Sequence, residues 1–259
     1  MNEHPVCERL GEVLSPSQVN TYLTCPAKWY FRYLVGLVEP ANGALALGKA
    51  FHATLAANFR QKMASGNDME PAEVREIFAQ EWKLASVDVE LREDEDASEL
   101  AETGEALATA YISEAARSVQ PRAVEQPVAG EIAGINVRGI VDVIDVNGCV
   151  VDFKTASKRP NGITAEHGLQ LTTYAMITPG ASGLCRLDTV TKTKTVQVIQ
   201  QTYDVGPEER RFAETLYPMV QNSIRDGVHP PHRRSPLRSR RHCGYWHECE
   251  REFGGRVPE

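Results

Sequence analysis

Residues 122–155 read RAVEQPVAGEIAGINVRGIVDVIDVNGCVVDFKT, a run dense in valine and isoleucine and interrupted by glycine. β-branched side chains suit a pleated surface and glycine marks the turns, so the run predicts three consecutive antiparallel strands. The stretches on either side have helical period. Ser15-Pro16-Ser17-Gln18 forms a capping box with proline at the first helical position. It predicts a helix that is interrupted before Pro26 and then resumes, with Tyr22, Trp29, Tyr30, Phe31 and Tyr33 packing a core. Beyond a loop at Pro40, Asn42 and Gly43, the segment ALALGKAFHATLAANFRQKMA repeats apolar residues at helical spacing. Helices are expected near 71–86, 98–118 and 164–177, followed by strands GLCRLDTVTKT and TVQVIQQTYDV and a helix over 207–225.

This order predicts an α/β fold, a mixed sheet flanked by helices, with N-terminal helical additions and an irregular C-terminal tail rich in cysteine and arginine. One domain over 1–259 is expected: a helical region at 44–118, a sheet core at 122–205, and a basic tail at 226–259 packing on 15–37. A chain of 259 residues, 42% hydrophobic and 24% charged, is soluble and long enough to bury a sizeable core. Its net charge of -7 argues against wholesale attraction to polyanions. Locally the balance reverses, because residues 225–241 hold six arginines and two histidines against the single acid Asp226. No apolar run reaches the roughly 18 residues that span a bilayer, and the start MNEHPVCERLGEV lacks the basic start and apolar centre of a signal peptide. A cytoplasmic location without a membrane partner is expected. Six cysteines in so long a chain do not make a disulfide scaffold. Cys7, Cys149 and Cys185 read as small apolar residues.

Asp152 and Lys154 leave the same face of a strand, and burying either charge without a partner is costly. Asp142, on the preceding strand, is the natural third member. A strict two-residue turn at Asn147-Gly148 sets Asp142 opposite Phe153 and on the other face from Asp152. A three-residue loop that includes Cys149 sets it opposite Lys154, and the longer loop is therefore expected. Two carboxylates and a lysine at a sheet end suit metal-assisted phosphodiester hydrolysis. The carboxylates hold Mg²⁺ or Mn²⁺ through hard oxygens, and Lys154 orients the attacking water and offsets charge on the phosphorus oxygens. A solvated strand end with ordinary charges is the competing reading of so short a pattern. Gln170 and Tyr174 follow at i and i+4 on one helix face, and His52 stands four residues after Gly48.

Taken in order, Gly48 to His52, Gly139 to Asp142, Asp152 to Lys154 and Gln170 to Tyr174 resemble the Gly-x-x-x-His, Gly-x-x-Asp, Asp-x-Lys and Gln-x-x-x-Tyr motifs of the PD-(D/E)XK nuclease superfamily, in its RecB-like and Cas4-like branch. The opening LSPSQVNTYLTCPAKWYFRYL also looks like that branch, so the resemblance runs over nearly the whole chain. It implies a restriction-endonuclease-like core in which His52, Asp142 and Asp152 are metal-site residues, completed by the backbone carbonyl of Phe153. Lys154 is then the catalytic lysine and Glu131 an auxiliary acid, while Gln170 and Tyr174 contact the nucleic acid or steady the lysine. The branch often carries a 4Fe-4S cluster on one N-terminal and three C-terminal cysteines. Cys25, Cys243 and Cys249 fit three of those positions, and the fourth is Arg238 or Arg240. The cluster is then absent, incomplete or completed by a group such as His242 or His247. A zinc site among His242, Cys243, His247 and Cys249 is a further alternative. Without metal, Tyr245 and Trp246 pack the tail against the N-terminal helices.

The resemblance implies a metal-dependent deoxyribonuclease, an exonuclease on single-stranded or end-containing DNA in recombination, repair, phage replication or CRISPR adaptation. Lys192, Lys194, Arg233 and Arg234 are candidate phosphate contacts, which position a strand without reading its sequence. No Gly-x-x-x-x-Gly-Lys-Ser/Thr motif is present, so unwinding falls to a helicase or another recombination or CRISPR partner. The alternative function is a catalytically inactive nucleic-acid-binding or assembly subunit on the same fold.

Overall fold

The computed structural model describes residues 12–92, 95–235 and 237–259; Cys7 lies outside them. Along the chain run β1 (Val13–Leu14), α1 (Pro16–Thr24), α2 (Pro26–Trp29), α3 (Gly43–Ser65), α4 (Pro71–Ala85), α5 (Ala97–Glu114), β2 (Pro121–Ile132), β3 (Ile135–Asp145) and β4 (Val150–Ala156). They are followed by α6 (Ala165–Ile177), β5 (Leu184–Thr191), β6 (Val198–Asp204), α7 (Pro207–Arg225) and α8 (Trp246–Phe253). The chain divides into two compact units. No helix among the described residues is long and apolar enough to cross a membrane.

The larger unit comprises Ala41–Val128 and Ile140–Gly206. Its strands follow the order β3-β4-β5-β6, antiparallel at both ends and parallel between β4 and β5. The parallel pair needs a crossover, which α6 supplies. α3 begins where the Asn42 side chain accepts the Leu45 N–H at 2.9 Å. Phe59 of α3 stacks on Phe153 of β4 at 5.7 Å, and Tyr111 of α5 meets the same ring edge-on at 5.1 Å. All three are buried, and each such side chain contributes about 1.5–3 kcal/mol by leaving water. That packing fixes α3 to the sheet, and α3 carries His52.

The hairpin between β3 and β4 explains why the acids share a site. Asp145 N–H bonds to Cys149 O at 3.0 Å, and Gly148 sits at φ +79. The loop is thus three residues, Val146, Asn147 and Gly148, with glycine at the left-handed closing position. The expected length is correct but the placement differs by one residue. The Asp145 carboxylate accepts both the Asn147 and Cys149 N–H groups at 2.8 Å, which draws Cys149 into the strand. The register pairs Val143 with Val151, so Asp142 comes opposite Asp152 rather than Lys154, still on the shared face. Gly148→Ala should destabilise the protein by about 2 kcal/mol or more, from left-handed strain and from a Cβ that would lie 2.4 Å from Gly180 O. Urea denaturation measures it, and an unchanged midpoint contradicts this account of the turn.

The smaller unit comprises the chain up to Pro40, Ala129–Gly139 and Pro207–Glu259. In it β1 pairs in parallel with β3 at Asn136 and Val137. Ser15 caps α1 by accepting the Gln18 N–H at 3.2 Å, and Cys25 separates α1 from α2, as the capping box and Pro26 predict. A π-helical turn, Tyr30–Leu34, continues the segment. The tail is not irregular throughout, because residues 246–253 form α8. Cys249 and Phe253, four residues apart, give it an apolar side, and Gly254 at φ +68 ends it. Just before it, Tyr245 is buried against Ala27 and Phe31 and donates its hydroxyl to Leu37 O at 3.0 Å.

Candidate active site

The site lies in the larger unit, where the β3–β4 ladder gives out. Beyond Val143 the Asp142 carboxylate, not a backbone carbonyl, accepts the Phe153 N–H, at 2.9 Å. The N–H and C=O of one strand residue point to the same side, so the Phe153 carbonyl faces the strand that carries Asp142. α3 sets His52 Nδ1 3.3 Å from Asp142 Oδ2. Glu125 of β2 joins them, and the candidate ligand atoms of His52, Glu125 and Asp142 all lie within 4.8 Å of one another. Glu125 holds φ +48, a left-handed backbone that costs a non-glycine residue about 1 kcal/mol or more and re-aims its side chain.

Asp152 is buried beside this group, 2% exposed. Lys154 Nζ is 2.5 Å from its Oδ2, and Gln170 Nε2 donates to its Oδ1 at 3.0 Å. The same Gln170 amide reaches the Tyr174 hydroxyl at 3.3 Å, so the i, i+4 pair on α6 acts as one bracket. Burial raises the Asp152 carboxyl to about 6, against the pull of Lys154. Burial also opposes the charged forms of the neighbours, but their partners prevail. His52 is raised by Asp142, Asp142 is lowered by His52 and Lys154, and Lys154 is raised by Asp152 and Asp142. Carboxylate oxygens with one imidazole make a donor set for a hard divalent cation, and the residues present fit one. Because Asp152 and His52 hold protons more tightly than free side chains, a metal entering near pH 6 must displace them. Mn²⁺ titrated at pH 6 in buffers of different ionisation heat should release on the order of one proton, with affinity falling as pH drops through 6. Binding heats that do not vary with buffer contradict this.

The match that decides the family is to the PD-(D/E)XK nuclease superfamily, over residues 13–250. The chain belongs to that superfamily. Its restriction-endonuclease-like α/β fold is shared with a crystal structure described as "Putative exonuclease" from Eubacterium rectale, at 12% identity, TM-score 0.58 and 89% coverage of each chain. A second solved structure, SSO0001, aligns at 13% identity and TM-score 0.33 over 76% of this chain and 85% of its own, too low to carry an argument. No curated protein matches the chain significantly.

Not every residue that the superfamily pattern implied joins the cluster. Glu131 is exposed, six residues beyond Glu125 along β2, and is not in the group; the acid that is there is Glu125. The turn at Ala133 and Gly134, both at positive φ, carries the signal. Counting outward from a two-residue turn there brings Glu125 opposite Asp142. Lys192 is half-buried and Lys194 exposed in the loop between β5 and β6, whereas Arg233 and Arg234 are exposed in the smaller unit. Cys149 and Cys185 are buried, as small apolar residues are.

Cys25, Cys243 and Cys249 line one cavity of about 30 Å³ in the smaller unit, together with Arg238. That is room for a water molecule, and burial raises the Cys243 and Cys249 thiols. Arg238 hydrogen-bonds Cys249, while Arg240 lies over the Trp246 ring at 4.4 Å and bonds Glu259 at 3.0 Å. Three cysteines and an arginine do not supply the four thiolates of such a cluster. The zinc alternative fails on distance, because His52, Glu125 and Asp142 are the only metal-competent group among the described residues.

Proposed function

We propose that this nuclease-superfamily chain is a divalent-metal-dependent deoxyribonuclease, an exonuclease on single-stranded or end-containing DNA. The observation that carries the reading is the meeting of the His52, Glu125 and Asp142 ligand atoms with the Asp152–Lys154 pair on one sheet end. His52, Glu125, Asp142 and Asp152, with the Phe153 carbonyl, would hold Mg²⁺ or Mn²⁺. Bound there, the ion supplies Lewis acidity and a lowered pKa for water. Lys154, protonated beside Asp152, orients the attacking water and offsets the charge that grows on the phosphorus oxygens. Gln170 fixes Asp152, and Tyr174 fixes Gln170, so the bracket from α6 limits how far the acid can turn. Lys192, Lys194, Arg233 and Arg234 take phosphates, which position a strand without reading its sequence. The E. rectale structure's description supports the exonuclease assignment, and recombination, repair, phage replication or CRISPR adaptation, with a helicase partner, are its settings.

End-labelled linear and circular DNA, single-stranded and duplex, incubated with Mg²⁺, Mn²⁺ or EDTA, tests the proposal. Metal-dependent digestion of linear DNA with circles intact is expected. DNA binding with no cleavage in any metal would favour the inactive binding subunit.

A further inference from the structure

Of the four glycines inside described helices, three sit close against a neighbouring side chain. A Cβ at Gly43 would lie 2.5 Å from Leu100, at Gly104 2.3 Å from Phe78, and at Gly168 3.0 Å from the Tyr203 hydroxyl. Gly48 differs, because a Cβ there meets nothing within 4 Å among the described residues and the backbone is ordinary helix. Glycine is a poor helix former, so α3 gives up helical stability at Gly48 with no close neighbour among the described residues that requires it. Space kept free of a side chain at such a place serves something that approaches from outside.

The position says what that is. Gly48 stands one turn before His52 and lines the same cleft, about 680 Å³, as His52, Glu125 and Asp142. Ala44, Gly48, His52, Ala56 and Arg60 follow one another every four residues and share one face of α3. The four small or imidazole positions end at Arg60, whose backbone lies about 18 Å along the helix from that of Gly48. We propose that Gly48 is where the substrate's sugar-phosphate backbone crosses α3 in van der Waals contact, and that Arg60 holds a phosphate on the other side of His52. Gly48 is then a positioning residue: it keeps the helix low so that the strand can descend to the acids. The inference rests on the nuclease reading and adds the path of the strand.

Gly48→Ala, Gly48→Leu and Arg60→Ala in the full chain test it. Affinity for a fluorescein-labelled single-stranded oligonucleotide is read by anisotropy in Ca²⁺, which suspends cleavage, and kcat/KM is read in Mn²⁺. Alanine at 48 should lower both about tenfold and leucine about a hundredfold, with Mn²⁺ affinity unchanged and thermal stability equal to or above wild type. Arg60→Ala should reduce the slope of affinity against salt by about one. Gly48 variants that bind and cut like wild type overturn the proposal. So does a parallel loss of Mn²⁺ affinity, which would place the glycine's role at the metal ligands instead. A wild-type chain that neither binds nor cuts overturns the nuclease reading itself, and this inference with it.

Discussion

Asp152→Ala and Lys154→Ala are each expected to lower the cleavage rate by about 10³-fold, while the circular dichroism spectrum stays that of the wild type. The two substitutions act on one device. Asp152 is 2% exposed, and its charge is tolerated because Lys154 stands 2.5 Å away and Gln170 3.0 Å away. Without the lysine, the burial that already raises this carboxyl to about 6 loses its largest counterweight, and His52 is the charge left to oppose it. The acid is then expected to hold its proton to higher pH than in the wild type, and while protonated it cannot serve as a metal ligand. What little activity Lys154→Ala retains should therefore recover as pH rises above 7, whereas Asp152→Ala should stay inactive at every pH. Equal cleavage by wild type and Asp152→Ala would remove Asp152 from the chemistry.

Asp188→Ala should cost about 3–5 kcal/mol of stability, measured by urea denaturation at pH 7. Asp188 lies opposite Phe153 in the β4–β5 register, so it faces α5 and not the cleft. It is fully buried and accepts bonds from the Tyr111 hydroxyl at 2.7 Å and Arg186 at 2.8 Å. Burial, reinforced by Asp188, drives the Tyr111 hydroxyl well above its ordinary pKa. The hydroxyl therefore remains a donor at all working pH values. Removing the acceptor leaves a guanidinium and a hydroxyl largely withdrawn from water without their shared partner. A loss below about 1 kcal/mol, the scale of a single net hydrogen bond, would show that the network is replaced by water. β4 and β5 thus send one buried acid to each side of the sheet, Asp152 toward the proposed chemistry and Asp188 toward the fold.

Much of this was legible in the residues. Period and punctuation located the helices and the strands of the sheet, because a β-branched run broken by glycine has few other ways to pack. The acid and lysine of DFKT were legible because alternation puts i and i+2 on one face. The hairpin was legible only to within one residue, since Val146-Asn147-Gly148 and Asn147-Gly148-Cys149 are equally good three-residue loops until the Asp145 carboxylate engages both N–H groups. Glu125 was legible only by counting outward from the Ala133-Gly134 turn, and the left-handed backbone that aims its side chain is announced by no propensity. The tail helix was hidden by its setting, with eight residues of mostly polar character following a stretch rich in proline and arginine. The cysteines show the limit of a motif: three are in place, and an arginine lines the same cavity where a fourth thiol would be needed.

The most direct measurement is the Mn²⁺ concentration needed for half-maximal cleavage of an end-labelled single strand by wild type, Glu125→Gln and Glu131→Gln. The account predicts that wild type cuts only with metal, that Glu125→Gln needs about ten times more Mn²⁺ or better, and that Glu131→Gln matches wild type. Cleavage that proceeds in EDTA, or a Glu125→Gln curve that overlies the wild type while Glu131→Gln shifts, would contradict it.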